Sequence, residues 1–423
     1  MKIGLIGYQG SGKSTLFEWL TGVKPDPALA HASQSAMATV PEPRVEPLCQ
    51  VYHPKKVTLA ALELVDTPGL SRTHEGNAAR LGLIREAGCL VLVVAGYAGG
   101  NPLADLVAFD EDFLLADMEI VGGRIERLKE SLKKPHPKAE REHEQNELAA
   151  LEPLLTKLEA GQHLNQSEMT DEQLKATSSF RLLTQKPKLV VVNLADDDSP
   201  DRFAEKNARG LSPHSPSPSG EGRAEGAEPG GLSPFSQRAP SPDGREKKGT
   251  VPLSAGGSQS SPSSSTGEGR PAVSLSKGGE GASVLKTLSG VPLVAIPLGL
   301  EVELARMTPE DRAEFEREMG VGHGDRDSLL RTILNVSGQM LYFTAGDKEV
   351  RTWMLRQGGT ALEAADNIHS DLARGFIRAE VMQCADLIRL GSEREIKAHN
   401  LMRQEPKDYV IRDGDILHIR FSV

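Results

Sequence analysis

Short apolar runs alternate with segments of helical periodicity through the first two thirds of the chain. The runs are residues 3–7, 62–66, 89–95, 188–193 and 291–297, and each ends in a polar or glycine-rich loop. Continuous apolar runs of this length are typical of strands that are buried on both faces of a parallel sheet. Residues 14–20 follow the first run with helical spacing. The pattern predicts an α/β fold with a doubly wound sheet.

A different period occupies the stretch between the third and fourth apolar runs. Apolar side chains recur at three-four spacing over 118–132 and again over 148–158, on either side of Pro135 and Pro137. This spacing predicts an antiparallel helical hairpin inserted into the sheet domain. The hairpin is either a packing seam with no further role or a docking arm for a large partner.

Residues 199–283 change composition abruptly to serine, proline and glycine with scattered charge. They hold too few apolar side chains to offset the entropy lost on ordering, so this segment is predicted to be a disordered insertion.

The C-terminal stretch returns to folded character. Residues 342–345, 350–355 and 376–381 are predicted strands and 361–372 a helix, while 409–421 predict a hairpin turning at Asp413-Gly414. This order predicts a small β-grasp domain. The predicted domains are 1–112 with 181–198 and 284–340 for the sheet domain, 113–180 for the hairpin, 199–283 for the insertion and 341–423 for the β-grasp domain.

Charge and cysteine content restrict the cellular location and the partners that can be expected. The formal net charge of −10 disfavours a broad electrostatic attraction to DNA or to an anionic membrane. The three cysteines, Cys49, Cys89 and Cys384, form no C-x-x-C pattern, and no apolar run approaches about 18 residues. We therefore expect a cytoplasmic protein without a membrane or DNA partner.

The first predicted strand leads into a phosphate-binding motif. Residues 7–14 read Gly-Tyr-Gln-Gly-Ser-Gly-Lys-Ser, which matches G-x-x-x-x-G-K-S/T between a strand and a helix. Backbone N–H groups of such a loop surround the α- and β-phosphates, and the helix N-terminus adds partial positive charge. The predicted nucleotide-binding residues here are Gly7, Gly10, Ser11, Gly12, Lys13, Ser14 and Thr15.

The second predicted strand ends in a D-x-x-G sequence, Asp66-Thr67-Pro68-Gly69. In P-loop enzymes the aspartate and the loop serine hold Mg²⁺, and the glycine amide senses the γ-phosphate. We therefore expect Ser14 and Asp66 to bind Mg²⁺ and Lys13, Asp66 and Gly69 to serve hydrolysis. Catalysis is expected to rest on positioning and charge neutralisation, with slow turnover.

Several separate segments resemble the Obg-like ATPase, or YchF, family. They read Val-Pro-Glu-Pro-Arg at 40–44, Leu-Ala-Asp-Met-Glu at 115–119, Tyr-Phe-Thr-Ala-Gly-Asp-Lys-Glu-Val-Arg at 342–351 and Gly-Phe-Ile-Arg-Ala-Glu-Val at 375–381. The resemblance covers nearly the whole chain apart from the insertion. It implies a P-loop NTPase domain with a helical hairpin, a C-terminal TGS domain of the β-grasp type, and ATP as the substrate.

The base-reading residues leave the choice of nucleotide open. The family replaces the guanine-reading N-K-x-D by N-x-x-E, whereas this chain reads Asn193-Leu194-Ala195-Asp196. Asn193 is expected to contact the purine edge, and Asp196 is the shorter acid that accepts the protons of guanine. A GTPase of the same fold is therefore the alternative to an ATPase.

The chain also departs from the family in its catalytic loops. Gly10 stands where the family has an asparagine implicated in potassium binding, and the loop after Gly69 is shorter. Leu70 stands where Ras-like enzymes keep a water-orienting glutamine, and His74 is a candidate substitute for a missing family histidine. These departures support a further alternative, a nucleotide-binding adaptor with negligible hydrolysis.

Partner binding follows from the resemblance alone. It implies a nucleotide-controlled switch that contacts the ribosome or its RNA through the TGS domain and the helical hairpin. The nearly balanced charge of the C-terminal domain gives this contact no separate support.

Overall fold

The structure is a computed structural model. It describes residues 1–29, 31–73, 76–97, 99–135, 137–198, 284–288, 291–319 and 325–422. The chain divides into one compact unit of residues 1–211 and 280–423 and a second of residues 212–279. The described residues all belong to the first unit. The predicted disordered insertion, residues 199–283, and His74 lie outside the described residues.

The described elements are thirteen strands and thirteen α-helices. The strands are β1 (Lys2–Ile6), β2 (Gln34–Thr39), β3 (Lys56–Thr58), β4 (Ala61–Asp66), β5 (Cys89–Ala95), β6 (Lys188–Asn193), β7 (Val284–Leu288), β8 (Val291–Ile296), β9 (Gln339–Ala345), β10 (Glu349–Arg356), β11 (Phe376–Gln383), β12 (Arg403–Glu405) and β13 (Asp415–Phe421). The α-helices are α1 (Lys13–Thr21), α2 (Val45–Tyr52), α3 (Asn77–Ile84), α4 (Pro102–Ser131), α5 (Lys138–Glu159), α6 (Asp171–Thr177), α7 (Leu298–Leu304), α8 (Pro309–Met319), α9 (Arg326–Val336), α10 (Ala361–Ile368), α11 (Ser370–Arg374), α12 (Cys384–Leu390) and α13 (Glu393–Ala398).

The first sheet has the strand order β2-β4-β1-β5-β6-β8-β7. Its five inner strands are parallel, and β2 and β7 run antiparallel at the edges. Every residue of β5 and β6 is buried because helices cover both faces. The predicted doubly wound fold class is thus confirmed, with all five predicted strands present. The added edge strand β2 reads Gln-Ser-Ala-Met-Ala-Thr, too polar to stand out as an apolar run.

The predicted helical hairpin is also present, formed by α4 and α5. Arg124 pairs with Glu147 and the Ser131 hydroxyl donates to Glu144, so the two helices run antiparallel. Buried apolar side chains pack between the two helices: Val121, Ile125, Leu128, Leu151, Leu154 and Leu158. The helix α4 begins at Pro102, earlier than the apolar spacing indicated, because Asn101 caps it there by accepting from the Ala104 N–H. The first turns of α4 therefore lie beside the first sheet, before the hairpin begins.

A buried carboxylate fixes the base of the hairpin. Asp117 of α4 is fully buried and accepts hydrogen bonds from the Leu183 N–H at 3.1 Å, the Thr184 N–H at 2.7 Å and the Thr184 hydroxyl at 2.8 Å. Arg85, which directly follows α3, adds an ion pair at 2.7 Å. One side chain thus ties α4 to the segment that leads into β6 and to the end of the helix α3.

The second sheet has the order β12-β11-β13-β9-β10-β3. Its edge strand β3 comes from the first part of the chain and pairs in parallel with residues 349–351 of β10. The helix α2 packs against the same core, where Val45 and Leu48 meet Phe343 and Val350. Residues 45–58 therefore pack with the second sheet, although they fall inside the predicted sheet-domain range 1–112. The domain boundaries stay a prediction.

The predicted hairpin over 409–421 is wrong. Only one strand, β13, lies there, and it runs between β11 and β9. The buried Asp415 carboxylate accepts from the Arg412 N–H at 2.8 Å and the Tyr409 hydroxyl at 3.0 Å, so residues 409–412 wrap around the strand's start and form no partner strand. The predicted helix 361–372 is likewise two helices, because His369 adopts an extended backbone between them.

Among the helices in the described ranges, none is both long and apolar enough to cross a membrane.

We expect Asp117→Ala to lower the free energy of unfolding by about 3–5 kcal/mol, because it leaves Arg85 and two buried N–H groups without their acceptor. Denaturant unfolding measures the loss. The matched control is Glu152→Ala, which removes an exposed hairpin ion pair with Lys129 and is expected to cost less than about 1 kcal/mol. Equal losses in the two variants would contradict the assigned role of Asp117.

Candidate functional site

The candidate site begins where β1 ends and α1 starts. Between them, residues 7–12 form a loop in which Gly10 and Gly12 have φ angles of 79° and 98°, a region that L side chains rarely adopt. The loop also passes close to its neighbours. A Cβ atom on Gly7 would lie 2.4 Å from the Val93 carbonyl oxygen, and one on Gly12 would lie 2.2 Å from Asn193 Nδ2. Only glycine fits at these two positions.

The loop lysine is held at the mouth of this turn. Lys13 is buried, and its ammonium donates to the Tyr8 carbonyl oxygen at 3.2 Å. Burial lowers the pKa of Lys13, and the negative charge of Asp66 opposes that shift. Burial destabilises the charged form of the Lys13 ammonium. A phosphate group beside it would stabilise that form through its negative charge.

A hydroxyl and a carboxylate meet next to the lysine. The Ser14 hydroxyl donates to Asp66 Oδ2 at 2.7 Å, and Asp66 lies at the end of β4. Asp66 Oδ1 is buried and has no hydrogen-bond partner among the described residues. Burial raises the pKa of Asp66, while the Ser14 hydrogen bond and the Lys13 charge act against this.

This pair fits a magnesium ion. Mg²⁺ in phosphate-binding sites takes one or two protein oxygens and fills its remaining positions with phosphate oxygens and water. A buried carboxylate oxygen without a partner beside a serine hydroxyl is a donor set of that kind.

The D-x-x-G segment pairs directly with the phosphate loop. The Leu70 N–H donates to the Gly7 carbonyl at 3.0 Å, and the Gln9 N–H donates to the Leu70 carbonyl at 3.3 Å. A Cβ atom on Gly69 would lie 3.1 Å from the Gln9 backbone and 3.2 Å from Lys13 Nζ. Gly69 therefore lies close to both the phosphate-binding loop and the Lys13 ammonium.

The predicted base-reading residues lie at the other end of the loop. Asn193 Nδ2 donates to the Ser11 carbonyl at 3.2 Å, and Asn193 Oδ1 accepts from the Leu298 N–H at 3.1 Å. Asp196 Oδ1 accepts from the Leu300 N–H at 3.0 Å, and the side chain is exposed. The first turn of α7 thus orients both side chains, and Oδ2 of Asp196 takes no part in the contact with Leu300.

A cavity of about 440 Å³ connects the phosphate-binding groups. Among the predicted residues, it is lined by Gly10, Lys13, Ser14, Thr15, Asp66 and Gly69. Gly7, Ser11 and Gly12 form the adjoining loop backbone, while Asn193 and Asp196 lie outside this cavity. The structure therefore brings the residues predicted to bind phosphate and metal together, and the Ser11 carbonyl connects their loop to Asn193.

Some residues of the site were missed at the sequence level. Gln9 lines the cavity, as do Lys24, His31 and Arg80 from the segments around it. The Tyr97 hydroxyl, just beyond β5, donates to the Gly10 carbonyl at 2.5 Å. The position of Tyr97 beyond the carboxyl end of a buried strand next to β1 is the signal that could have identified it.

An aromatic and charged cluster ties the loop to the hairpin. Tyr8 stacks on Phe109 of α4 with ring centroids 4.4 Å apart. The Arg72 guanidinium lies over the Tyr8 ring at 4.9 Å and pairs with Asp105 of α4 at 2.8 Å. The phosphate loop, the segment after Gly69 and the first turns of α4 therefore form one packed unit.

Comparisons with known proteins place this geometry in a family. Residues 2–121 match the MMR_HSR1 family, described as a 50S ribosome-binding GTPase, and residues 340–422 match the YchF-GTPase_C family, described as a protein of unknown function. These matches support assignment of the chain to the YchF/Obg-like ATPase family. The chain is accordingly a P-loop nucleoside triphosphatase, which confirms the enzyme class predicted from the sequence.

Relatives match this family member from end to end. The ribosome-binding ATPase YchF of Bacillus subtilis is 28% identical, with 99% of each chain covered. Obg-like ATPase 1 of Oryza sativa subsp. japonica is 27% identical over 100% of this chain and 92% of its own length. The solved structure of the Schizosaccharomyces pombe YchF GTPase superposes with a TM-score of 0.69 over 99% of this chain and 97% of that chain, at 22% identity, and supports the fold.

We expect Gly12→Ala to weaken nucleotide binding at least tenfold. The new Cβ atom would overlap Asn193 and the φ of 98° would be strained, so the loop must shift. Calorimetric titration with ATP in Mg²⁺ buffer measures the change. The control is Gly122→Ala in α4, where a Cβ atom meets nothing within 4 Å and binding should be unchanged. Unaltered affinity in Gly12→Ala would refute the close-approach argument.

Proposed function

We propose that the chain is a slow Mg²⁺-dependent ATPase that works as a nucleotide-controlled switch on the ribosome. The observation that carries the proposal is the convergence of Lys13, the Ser14–Asp66 pair and Gly69 on one cavity. Ammonium, hydroxyl, carboxylate and backbone amide are the groups that P-loop enzymes use around a triphosphate and its metal ion.

The roles of the residues follow from their positions. The loop N–H groups and Lys13 bind the phosphate oxygens and offset negative charge as it builds up in the transition state. Ser14 and Asp66 would hold Mg²⁺, which when bound neutralises charge on the β- and γ-phosphates. The Gly69 amide contacts the γ-phosphate, so loss of that group after hydrolysis releases the segment that follows.

The reaction proposed is in-line attack of water on the γ-phosphorus. The new bond forms from the water oxygen as the bond to the β–γ bridging oxygen breaks, and ADP leaves as the second product. The water proton passes to the released phosphate. The proposed mechanism uses no side chain as a strong base, which agrees with slow turnover.

ATP is proposed over GTP because the relatives are named ATPases. Asp196 is the specific observation that favours GTP as the alternative, since the residue is exposed and its Oδ2 is not the atom that accepts from Leu300. A carboxylate oxygen in that place can accept protons from guanine.

In calorimetric titrations with Mg²⁺, we expect ATP to bind at least tenfold more tightly than GTP. Asp196→Asn keeps an acceptor for the Leu300 N–H but removes the charge, so ATP affinity should stay within about threefold. Lys13→Ala is the control for binding through the loop and should lose most affinity and phosphate release. Tighter binding of GTP by the wild type, lost in Asp196→Asn, would establish the GTPase instead.

The ribosome is proposed as partner from the relatives' names, and the hairpin tip supports it. Three lysines lie exposed around the turn between α4 and α5, namely Lys133, Lys134 and Lys138. A cluster of exposed ammonium groups at the end of a stiff arm suits contact with RNA phosphates, in a chain whose net charge is otherwise negative.

We expect the triple variant with Lys133, Lys134 and Lys138 each changed to Glu to lose most cosedimentation with ribosomes. Binding of the wild type should weaken as salt rises, because phosphate contacts release counterions. Lys175→Glu, an exposed lysine on α6 near the hairpin base, is the charge control. Absence of the wild type from ribosomal fractions with ATP, ADP and no nucleotide would overturn the partner assignment.

A further inference from the structure

Hydrolysis by this site requires a group that orients the attacking water. The residue after Gly69, which is a glutamine in Ras-like enzymes, cannot do this here. Leu70, which follows Gly69, carries no hydrogen-bonding side chain and is 1% exposed. It packs in the core with Tyr8, Leu81 and Phe109. Its side chain therefore faces away from the cavity where water would stand.

Two glutamines, Gln9 and Gln34, line the same cavity. The Gln34 carboxamide accepts from the Asp26 N–H at 2.8 Å and donates to the Asp26 carbonyl at 3.0 Å, which leaves Gln9. We propose that Gln9 of the phosphate loop orients the water that attacks the γ-phosphorus, an inference that rests on the proposed hydrolase function. Gln9 is exposed and is one of the residues that line the cavity, together with Lys13, Ser14 and Gly69. Gln9 is thus a catalytic residue in the loop that also binds the phosphates.

The position of the Gln9 backbone supports this role. The point that a Cβ atom of Gly69 would occupy lies 3.1 Å from the Gln9 Cα and 3.2 Å from Lys13 Nζ. The Gln9 Cα therefore stands beside both the group that holds the γ-phosphate and the glycine whose amide senses it. A side chain as long as glutamine reaches from there over the phosphate.

The loop holds Gln9 from both sides. Before it, Tyr8 is buried and stacked on Phe109. After it, the Gly10 carbonyl accepts from the Tyr97 hydroxyl. The Gln9 N–H itself donates to the Leu70 carbonyl at 3.3 Å. The carboxamide is therefore presented by an ordered backbone, which reduces the entropy lost in reaching a reactive geometry.

The chemistry of a carboxamide fits the task. Its oxygen accepts a hydrogen bond from water while its NH₂ group donates to a γ-phosphate oxygen, so one side chain can align nucleophile and electrophile. Lys24 and Arg80, which also line the cavity, are cations and can only donate. They suit the charge of the phosphates, whereas Gln9 suits the water.

The role leaves Gln9 chemically unchanged. The water oxygen bonds to the γ-phosphorus, the bond from phosphorus to the β–γ bridging oxygen breaks, and the water proton moves to the phosphate product. The contact of Gln9 with the attacking water stabilises the transition state and does not hold the bound nucleotide. Loss of Gln9 should therefore lower kcat and leave nucleotide affinity nearly unchanged.

The test is single-turnover phosphate release, with ATP affinity measured separately by calorimetry. Gln9→Leu has nearly the same size but no hydrogen-bonding group, and we expect its rate to fall about 10- to 100-fold with affinity within about threefold. Gln9→Asn keeps the amide on a side chain one methylene shorter and should fall as well. Gln9→Glu keeps an acceptor oxygen and should retain more of the rate than Gln9→Leu.

The outcomes separate the two proposals. A Gln9→Leu rate within twofold of the wild type, while the wild type clearly exceeds Lys13→Ala, would overturn the role of Gln9 and leave the hydrolase intact. Parallel loss of affinity and rate in Gln9→Leu would also overturn it, since that marks a binding residue. A wild type no faster than Lys13→Ala would overturn both proposals and favour a nucleotide-binding adaptor.

Discussion

The nucleotide site depends on how closely the phosphate loop approaches the strands beside it. With no side chain at Gly7 and Gly12, the loop backbone lies against Val93 of β5 and Asn193 of β6. That approach lets the Asn193 amide bond the Ser11 carbonyl, so the phosphate end and the base end of the site share one backbone segment. Binding groups that come from separate strands are thereby held at fixed spacing before any nucleotide arrives.

The parts that were predictable are those in which a single local pattern carries the chemistry. The loop motif, Asp66 and the buried strands could be read directly, because period and residue type agree with their positions. Asp196 could be named but not interpreted, since its partner Leu300 lies in another strand-to-helix turn. Tyr97 and Gln9 escaped because their roles arise from distances between loops that are far apart in sequence.

The misread C-terminal elements have a related cause. The residues before β13 looked like a strand, yet their polar groups are directed toward Asp415. The strand β3 of the same sheet was also missed, because three residues with exposed or half-buried side chains give no apolar signal. Arg44 shows what such distant pairing achieves. It binds Glu42 beside it and Asp413 across the chain, and so fastens the segment after β2 to the turn before β13.

The placement of β3 also decides how the chain can be divided. A strand edge without a neighbour offers unpaired N–H and C=O groups, and such edges recruit other chains. Here β3 covers the outer side of β10, where it pairs residues 56–58 with 349–351. A fragment cut at residue 341 would lose that cover and the helix packed beside it. Its open edge would favour self-association, so this edge of the C-terminal sheet depends on the N-terminal part of the chain for its cover.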